Sequence, residues 1–282
     1  MASTYLPSWI HAPTLAHAHA LWNRPVSLGS ALLSGLGLYV LGFLVSDIYA
    51  YYLLVPQDMR GTISSQPAIY ILSGLIRSFR WLTGKDGTST RGLRRFVAKS
   101  KERQPIYGRR FLKDGDVPVR RGPRASILVQ GLPHRQIPQL LDEELEKELK
   151  ARFDTFGASH SLTSGESHIE PNALALFLPH TPPSLSQHPE LQIPPSRKAS
   201  SYEFAHIHGG ESSMHLFLAP LDAAEAIEKG WAVRFPLAGG LGEWGRAQGR
   251  VLVYAPRDRG EVGVVMRLVE AGWEYLSAVP KA

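Results

Sequence analysis

Three histidines lie within ten residues near the carboxyl end of the chain, at His206, His208 and His215. They occupy two runs in which apolar and polar residues alternate as in strands, and a turn expected over 209–214 separates the runs. Histidine titrates near neutral pH, and its neutral ring nitrogen is a common metal ligand. The spacing therefore favours proton transfer or metal binding, with a hydrogen-bonded structural cluster as the alternative.

The expected hairpin brings the three imidazoles to one face. Alternate side chains of a strand share a face, so Glu203 is expected to point away from the histidines. With the turn at Gly209 to Met214, His208 is predicted to lie directly opposite His215. Such a face could hold a metal, a general base or an anionic substrate. The rings expected on the face of the first strand are those of Tyr202, Phe204, His206 and His208.

Composition excludes several classes of chemistry. The 282 residues include no cysteine, which rules out disulfides, thiolate catalysis and cysteine-based zinc sites. The glycine-rich stretch Gly239 to Gly249 lacks phosphate-loop spacing, which argues against nucleotide binding. The net charge of +6 arises mainly from a basic stretch after residue 60, without a nucleic-acid motif. A membrane surface, and not nucleic acid, is therefore the expected partner of this basic excess.

An apolar segment near the amino terminus predicts a transmembrane helix. No charged residue occurs from Pro25 to Ser46, and Leu28 to Val45 approaches the length that crosses a bilayer. A buried core helix and a cleaved signal peptide are the alternatives. One arginine, Arg24, precedes the segment and many basic residues follow it, which places the downstream portion in the cytosol by the positive-inside tendency. The endoplasmic reticulum is the default membrane for a single anchor.

Four regions follow from this reading: a disordered tail at 1–24, a transmembrane anchor at 25–55, a basic connector at 56–122 and a catalytic domain at 123–282. The tail contains three further histidines, whose capture of metal is an alternative to disorder, and the connector contains a candidate interfacial helix at 67–82. The tail histidines are His11, His17 and His19.

Periodicity predicts an α+β domain with a mixed or antiparallel sheet, a histidine-bearing hairpin and packed helices. A helix is predicted over 137–153 from its apolar stripe, and a final helix is predicted to be capped by Asp258. Asp222 is predicted to cap a short helix, and strands are predicted at 124–129, 174–178 and 251–254.

Several short motifs, taken in order, resemble the fungal luciferase family. The motifs are Ala205-His206-Ile207-His208, Met214-His215-Leu216, Lys229-Gly230-Trp231, Pro236-Leu237-Ala238-Gly239, Tyr254-Ala255-Pro256-Arg257 and Glu270-Ala271. The resemblance implies a membrane-associated oxygenase that needs no flavin or nucleotide. Mushroom members react 3-hydroxyhispidin with O2 through an endoperoxide that loses CO2 and leaves excited caffeylpyruvic acid, which emits light.

The resemblance suggests roles for particular residues. One of His206, His208 and His215 would take the enol proton of the hydroxypyrone, and a second imidazole or Arg257 would stabilise the resulting anion. The flat substrate would stack on Tyr202, Phe204 and Trp231, although core packing is the alternative for Trp231. Glu203 is expected in an ion pair, and Glu211 is a further candidate metal ligand.

One departure from the family pattern concerns luminescence. Mushroom luciferases carry a histidine immediately before the Pro-Leu-Ala-Gly run, where this chain has Phe235. If that imidazole is needed for light, the resemblance implies a related substrate and a reaction without emission. Two other classes stay open: a metal-dependent hydrolase or dioxygenase using the three histidines, and a non-catalytic membrane adaptor whose histidines are structural.

Overall fold

The computed structural model describes residues 27–54, 71, 74–76, 78, 87–102, 105–128, 134–137, 142–170, 172–178, 202–239 and 248–278. The chain divides into two compact units, Met1–Leu53 and Leu54–Ala282. The predicted tail at 1–24 lies outside the described residues.

The described part of the first unit is a long helix, α1 (Leu28–Leu54), whose last residue falls in the second unit. Large apolar side chains along α1, including Leu33, Leu38 and Tyr39, are exposed. The segment Leu28–Tyr49 is long and apolar enough to cross a membrane, and none of it is buried within the protein. By length and composition, α1 is therefore a candidate membrane span. A signal sequence near an amino terminus has the same length and composition.

The second unit contains the remaining described elements. Its helices are α2 (Arg91–Ser100), α3 (Glu143–Ser159), α4 (Pro220–Glu228) and α5 (Arg259–Ser277), with a 3-10 turn at Pro105–Gly108. Its strands are β1 (Thr163–Glu166), β2 (Leu174–Leu178), β3 (Tyr202–Ile207), β4 (Met214–Phe217), β5 (Ala232–Arg234) and β6 (Arg250–Val253). All neighbouring strands are antiparallel, in the order β1-β2-β3-β4-β6-β5. The predicted α+β class with an antiparallel sheet is confirmed.

One face of the sheet forms the main hydrophobic core with the helices. Ala205, Ile207, Met214, Leu216 and Val253 supply the sheet side of this core. The core also contains Leu93, Ile106 and Val117, which lie in the region predicted to be an irregular connector. The folded unit therefore begins before residue 123, because the apolar side chains of 93–117 are buried against the helices. The candidate interfacial helix at 67–82 lies mostly outside the described residues.

The opposite face of the sheet has a smaller apolar cluster. Val233, Leu252 and Tyr254 form it, and Ala125 and Ile127 pack against it. The covering segments, 125–128 and 134–137, are joined by a single bridge between Ile127 and Gln136, where a strand was predicted over 124–129. The strand prediction was too long because this segment pairs through one bridge and lies over the sheet.

The helix starts correct two sequence predictions. Asp142 caps α3 by accepting from the Glu144 backbone N–H at 3.0 Å, so this helix begins at Glu143 and not at 137. Asp222 lies within the first turn of α4, after Ala219, and accepts from the Phe111 backbone N–H at 2.8 Å. Asp222 therefore anchors the segment before α3. Asp258 caps α5 as predicted, accepting from the Glu261 backbone N–H at 2.8 Å.

A buried ion pair joins the start of α5 to the segment at 117–121. Arg120 is 7% exposed, and its Nη2 lies 2.7 Å from the Glu261 carboxylate. Arg257 also donates to Glu261 from Nε at 2.9 Å. Burial raises the pKa of Glu261, but the hydrogen bonds from Arg257 and Arg120 outweigh it and lower the pKa to about 2. Glu261 is therefore ionised at neutral pH.

Glu261→Gln is expected to lower the free energy of unfolding by about 3–5 kcal/mol, because it leaves the buried Arg120 guanidinium without its counter-ion. The folded pKa lies below the ordinary value of 4.5. The contribution is thus present above about pH 4.5 and is lost as the pH falls toward 2. Denaturant unfolding at several pH values measures the difference between variant and wild type.

The matched control is Arg259→Gln, because the Arg259 side chain is 82% exposed and its partner Glu148 lies on the surface of α3. Its effect is expected to stay within about 1 kcal/mol. Equal effects of the two substitutions would contradict a structural role for the buried pair.

Candidate active site on the histidine hairpin

The β3–β4 hairpin sets the positions of the three histidines. His206 pairs with His215, and Ile207 pairs with Met214. The prediction that His208 lies opposite His215 was wrong, because the turn begins one residue earlier than expected. The His208 backbone N–H donates to the Ser213 carbonyl at 2.8 Å, and Gly210 adopts φ +81°, a conformation that suits glycine.

The structure nevertheless brings all three imidazoles together. The ring centres lie 5.1 Å apart for His206–His208, 5.2 Å for His206–His215 and 5.0 Å for His208–His215. The three residues are 1%, 0% and 3% exposed, respectively. The rings therefore form a nearly equilateral, buried triangle on the face of the sheet opposite the helices.

A β-bulge in β3 adds a carboxylate to this face. Leu176 pairs with Ala205 and Phe177 with Glu203, so Phe204 is an extra residue in the ladder. The bulge reverses the alternation, so Phe204 enters the main core while the Glu203 Oε1 lies 2.5 Å from the His206 Nδ1. The expectation that Glu203 points away from the histidines was wrong, because strict alternation does not survive a bulge.

Each imidazole presents its Nδ1 to an oxygen acceptor. His206 Nδ1 faces Glu203, His208 Nδ1 lies 2.9 Å from Ser213 Oγ, and His215 Nδ1 lies 3.3 Å from the Val251 carbonyl. The Ser213 hydroxyl itself donates to Glu211 at 2.8 Å. A neutral imidazole that donates from Nδ1 carries its lone pair on Nε2. The Nε2 atom of each ring is therefore the nitrogen left for chemistry.

Glu170 faces the ring nitrogens from the loop before β2. Its Oε2 lies 3.3 Å from His208 Nε2. Arg135 holds the same oxygen, donating from Nη2 at 2.8 Å and from Nε at 3.0 Å, and donates to the Gly209 carbonyl at 3.3 Å. Arg135 thus fixes the hairpin turn and the Glu170 carboxylate together.

Burial controls the protonation of the cluster. Burial lowers the pKa of His206, against the opposing effect of its bond to Glu203. Burial, with the charge of Arg250, holds the pKa of His215 well below its usual value. Burial raises the pKa of Glu170, but His208, His206 and Arg135 outweigh it and lower the pKa to about 2. Burial thus disfavours the imidazolium forms of His206 and His215, while Arg135 supports an ionised Glu170.

An aromatic wall lies on one side of the cluster. Phe235 packs edge-on against His215 and His134, with ring centres 5.5 and 5.6 Å apart. His134 stacks on His215 at 5.3 Å, and the Arg250 guanidinium lies 4.5 Å from the centre of the Phe235 ring. The position at which this chain departs from the family motif therefore contacts the histidine cluster.

The other predicted site residues lie elsewhere. Phe204 is in the main core, Tyr202 packs against that core, and Trp231 is buried in it with Nε1 donating to the Pro118 carbonyl at 2.6 Å. Arg257 pairs with Glu261 and lines a small cavity with Asp142 and Asp258. The predicted stacking surface and anion-stabilising arginine are therefore not part of this cluster.

Sequence reasoning missed residues that come from other segments, namely His134, Arg135, Glu170 and Arg250. Glu170 precedes His206 by 36 residues, and no local pattern connects the two. The antiparallel pairing of β2 with β3 brings it there. His134 and Arg135 belong to a polar run that follows the apolar segment at 124–129. A polar run gives no indication that its side chains are buried, and both residues are buried here.

Comparison with known proteins shows which family the segment that carries the site is similar to. The family described as Luciferase domain matches residues 201–272, which include the three histidines, Phe235 and Arg250. A luciferase of Neonothopanus nambi is 35% identical over 179 residues, covering 61% of this chain and 64% of that protein. A luciferase of Armillaria gallica is 33% identical over 182 residues, covering 61% of this chain and 65% of that protein.

The matched region thus spans slightly less than two thirds of each of these relatives. No solved structure matches the chain. The resemblance indicated by the sequence motifs is confirmed: residues 201–272 match the family described as Luciferase domain, and the chain is similar to fungal luciferases.

Proposed function

We propose that the chain is a luciferase-type oxygenase that reacts O2 with a hydroxypyrone of the 3-hydroxyhispidin type at the histidine cluster. One observation carries the proposal. The three imidazoles converge, buried, within the segment that matches the Luciferase domain, and one ring nitrogen of each lies within 4.8 Å of those of the other two.

The chemistry of the substrate explains the need for these groups. A 3-hydroxypyrone becomes electron-rich toward oxygen when its enol hydroxyl loses a proton. A nitrogen lone pair that is neutral at cellular pH suits this task. His206 is the best placed of the three to act as base, because the Glu203 carboxylate accepts its Nδ1–H and stabilises the imidazolium that forms. Neither a flavin nor a nucleotide takes part in this scheme.

The adaptor alternative assigns the same histidines a purely structural role. It predicts that their loss damages folding and leaves no activity to lose. The buried triangle is compatible with both readings in isolation, so activity and folding must be measured on the same variants.

His206→Ala is expected to lower turnover of 3-hydroxyhispidin in air by about 10²–10⁴-fold, because it removes the proton acceptor. Product masses and photons are recorded together on the full chain in detergent, and circular dichroism reports folding. His168→Ala is the matched control, since His168 is exposed and its ring lies against Phe177. A wild-type protein that leaves the compound unchanged relative to buffer would refute the activity, and an unfolded His206 variant would favour the adaptor.

Phe235 bears on whether the reaction emits light. The side chain places an apolar ring edge against His215, at the position where mushroom luciferases carry an imidazole. An apolar edge donates no hydrogen bond to an anionic intermediate, whereas an imidazole can. We therefore propose that this chain turns over its substrate with little or no emission.

Phe235→His is expected to increase the number of photons per molecule of product, because it adds a hydrogen-bonding group beside His215. Phe235→Leu is the control, since it changes the shape of the wall without adding a polar group. Simultaneous photon counting and product quantification gives the ratio. Bright emission from the wild-type protein, or equal ratios for the two variants, would show that the residue at 235 does not govern light.

The candidate span supports a proposal about location. We propose that α1 anchors the protein in a membrane as a single pass, with the catalytic domain in the cytosol at the endoplasmic reticulum. The uncharged stretch 25–46 and the basic residues that follow it support this arrangement. The basic region after α1 would then face anionic headgroups.

The full chain is expected to stay in the membrane pellet after alkaline carbonate extraction, and deletion of 27–54 is expected to release it, because the anchor is the main apolar attachment. Protease added to sealed microsomes should digest the domain if it is cytosolic. A mature amino terminus located downstream of Tyr49 would instead identify the segment as a cleaved leader.

A further inference from the structure

We propose that Glu170, His206, His208 and His215 bind one divalent first-row transition-metal ion. Each residue offers one ligand atom, and the four atoms lie within 4.8 Å of one another. Ligand atoms around a four-coordinate ion with bonds of about 2.0–2.1 Å lie about 3.4 Å apart. Inward movements of less than about 1 Å per side chain therefore complete the coordination.

The hydrogen bonds around the rings favour ligation. Metal-binding histidines usually donate their second ring N–H to a carboxylate, carbonyl or water, which fixes the tautomer. Here Glu203, Ser213 with Glu211, and the Val251 carbonyl accept from the three Nδ1 atoms. His206 Nε2 is buried and has no hydrogen-bonding partner among the described residues. The supporting shell of a metal centre is therefore present in the protein itself.

Electrostatics supplies an independent reason. The Glu170 Oε2 lies 3.3 Å from His208 Nε2, so two electronegative atoms face each other unless a proton or a cation lies between them. Glu170, Glu203 and Glu211 bring three carboxylates to the cluster, against the guanidinium groups of Arg135 and Arg250. Charge buried without compensation is costly. A divalent ion between the four ligand atoms would lie between Glu170 Oε2 and His208 Nε2 and would place positive charge beside the three carboxylates.

The size of the space and the donor set select the ligand. The gap between ligand atoms that lie within 4.8 Å of one another fits an ion, and a pyrone ring would have to lie beside that gap. Three imidazoles and a carboxylate suit zinc, iron or copper better than calcium or magnesium, which prefer oxygen ligands. The competing arrangement is a proton: an imidazolium at His208 would bridge Glu170 and Glu211 without any metal.

The inference deepens the proposed function, and it rests on that function only for the use of the ion. A bound divalent ion would occupy the Nε2 lone pair of His206, so it would replace this imidazole as the group that activates the substrate, acting as a Lewis acid toward the enol oxygen of the hydroxypyrone. Occupancy of the site is measured without substrate, so the metal and the activity succeed or fail separately. A metal-free protein that turns over the pyrone would overturn the metal site alone, and a metal-loaded protein that does not would overturn the proposed substrate alone.

The test uses the full chain purified in detergent, stripped with a chelator and reloaded with Co2+. Retention of about one ion per chain is expected after desalting, with the visible d–d absorption of protein-bound cobalt and an increase in Tm that depends on Co2+ concentration. Glu170→Gln and His208→Ala are expected to lose the retained cobalt, because each removes a ligand. Glu203→Gln is expected to weaken binding about 10–100-fold, because it alters only the partner of a ligand.

His168→Ala is the matched control and is expected to retain wild-type cobalt, since it deletes a histidine outside the cluster. Wild-type protein that is folded by circular dichroism but retains no cobalt after reloading would overturn the metal site in favour of the His208 imidazolium. Folded Glu170 and His208 variants with wild-type cobalt content would also overturn it, by assigning the ion to other histidines such as those of the tail. If the Glu170 or the His208 variant unfolds, Glu203→Gln provides the test. Cobalt binding weakened about 10–100-fold would support the site, and wild-type cobalt affinity would overturn it.

Discussion

The antiparallel register between β3 and β4 is the constraint on which the rest of this site depends. A strand has a side-chain period of two, so a shift of one residue would move every side chain to the opposite face. The observed pairing of His206 with His215 places both imidazoles away from the helices. The same register directs Ala205, Ile207, Met214 and Leu216 into the main core. Apolar burial and placement of the polar cluster are thus consequences of one hydrogen-bond ladder.

The two faces of the sheet differ in the polarity of the side chains that they bury. The helix-covered face is almost entirely apolar, and close approach of backbone elements tightens it: a Cβ on Gly272 would lie 2.5 Å from the Phe217 carbonyl oxygen. The opposite face buries imidazoles, carboxylates and guanidinium groups, which is expensive unless each is paired. Arg135, Glu203 and Ser213 supply much of that pairing. The stability of the apolar face supports a polar site that would be unfavourable on its own.

Positioning by neighbouring groups is a recurring feature of the cluster. The imidazole rings are oriented through their Nδ1 atoms, so their Nε2 atoms have a defined direction. Glu170 is oriented in turn by Arg135, which also binds the turn of the hairpin at Gly209. Proton transfer and metal ligation both require such preorganised lone pairs. The contacts that hold these rings are therefore as informative about function as the rings themselves.

The sequence alone determined the class of fold, the histidine hairpin and the resemblance to the fungal luciferases. These features are local: an apolar run predicts the strand at 174–178, alternation predicts the strands of the hairpin, Asp258 marks a helix start, and each family motif is a short contiguous segment. The apolar character of α1 is local as well, since length and composition suffice to identify a candidate span.

Only the tertiary structure decided which residues surround the histidines. A bulge at Phe204 placed that ring in the main core and the Glu203 carboxylate beside the histidines, the reverse of what alternation predicts. The turn begins one residue earlier than expected, so His206, and not His208, pairs with His215. Trp231 and Arg257 belong to motifs that carry the family resemblance, but Trp231 is buried in the main core and Arg257 forms a salt bridge with Glu261. The cluster also includes Glu170, Arg135 and His134, which lie on segments distant from the hairpin in the sequence. The physical reason is that a side chain's direction depends on strand register and on long-range packing, which no local pattern of residues specifies.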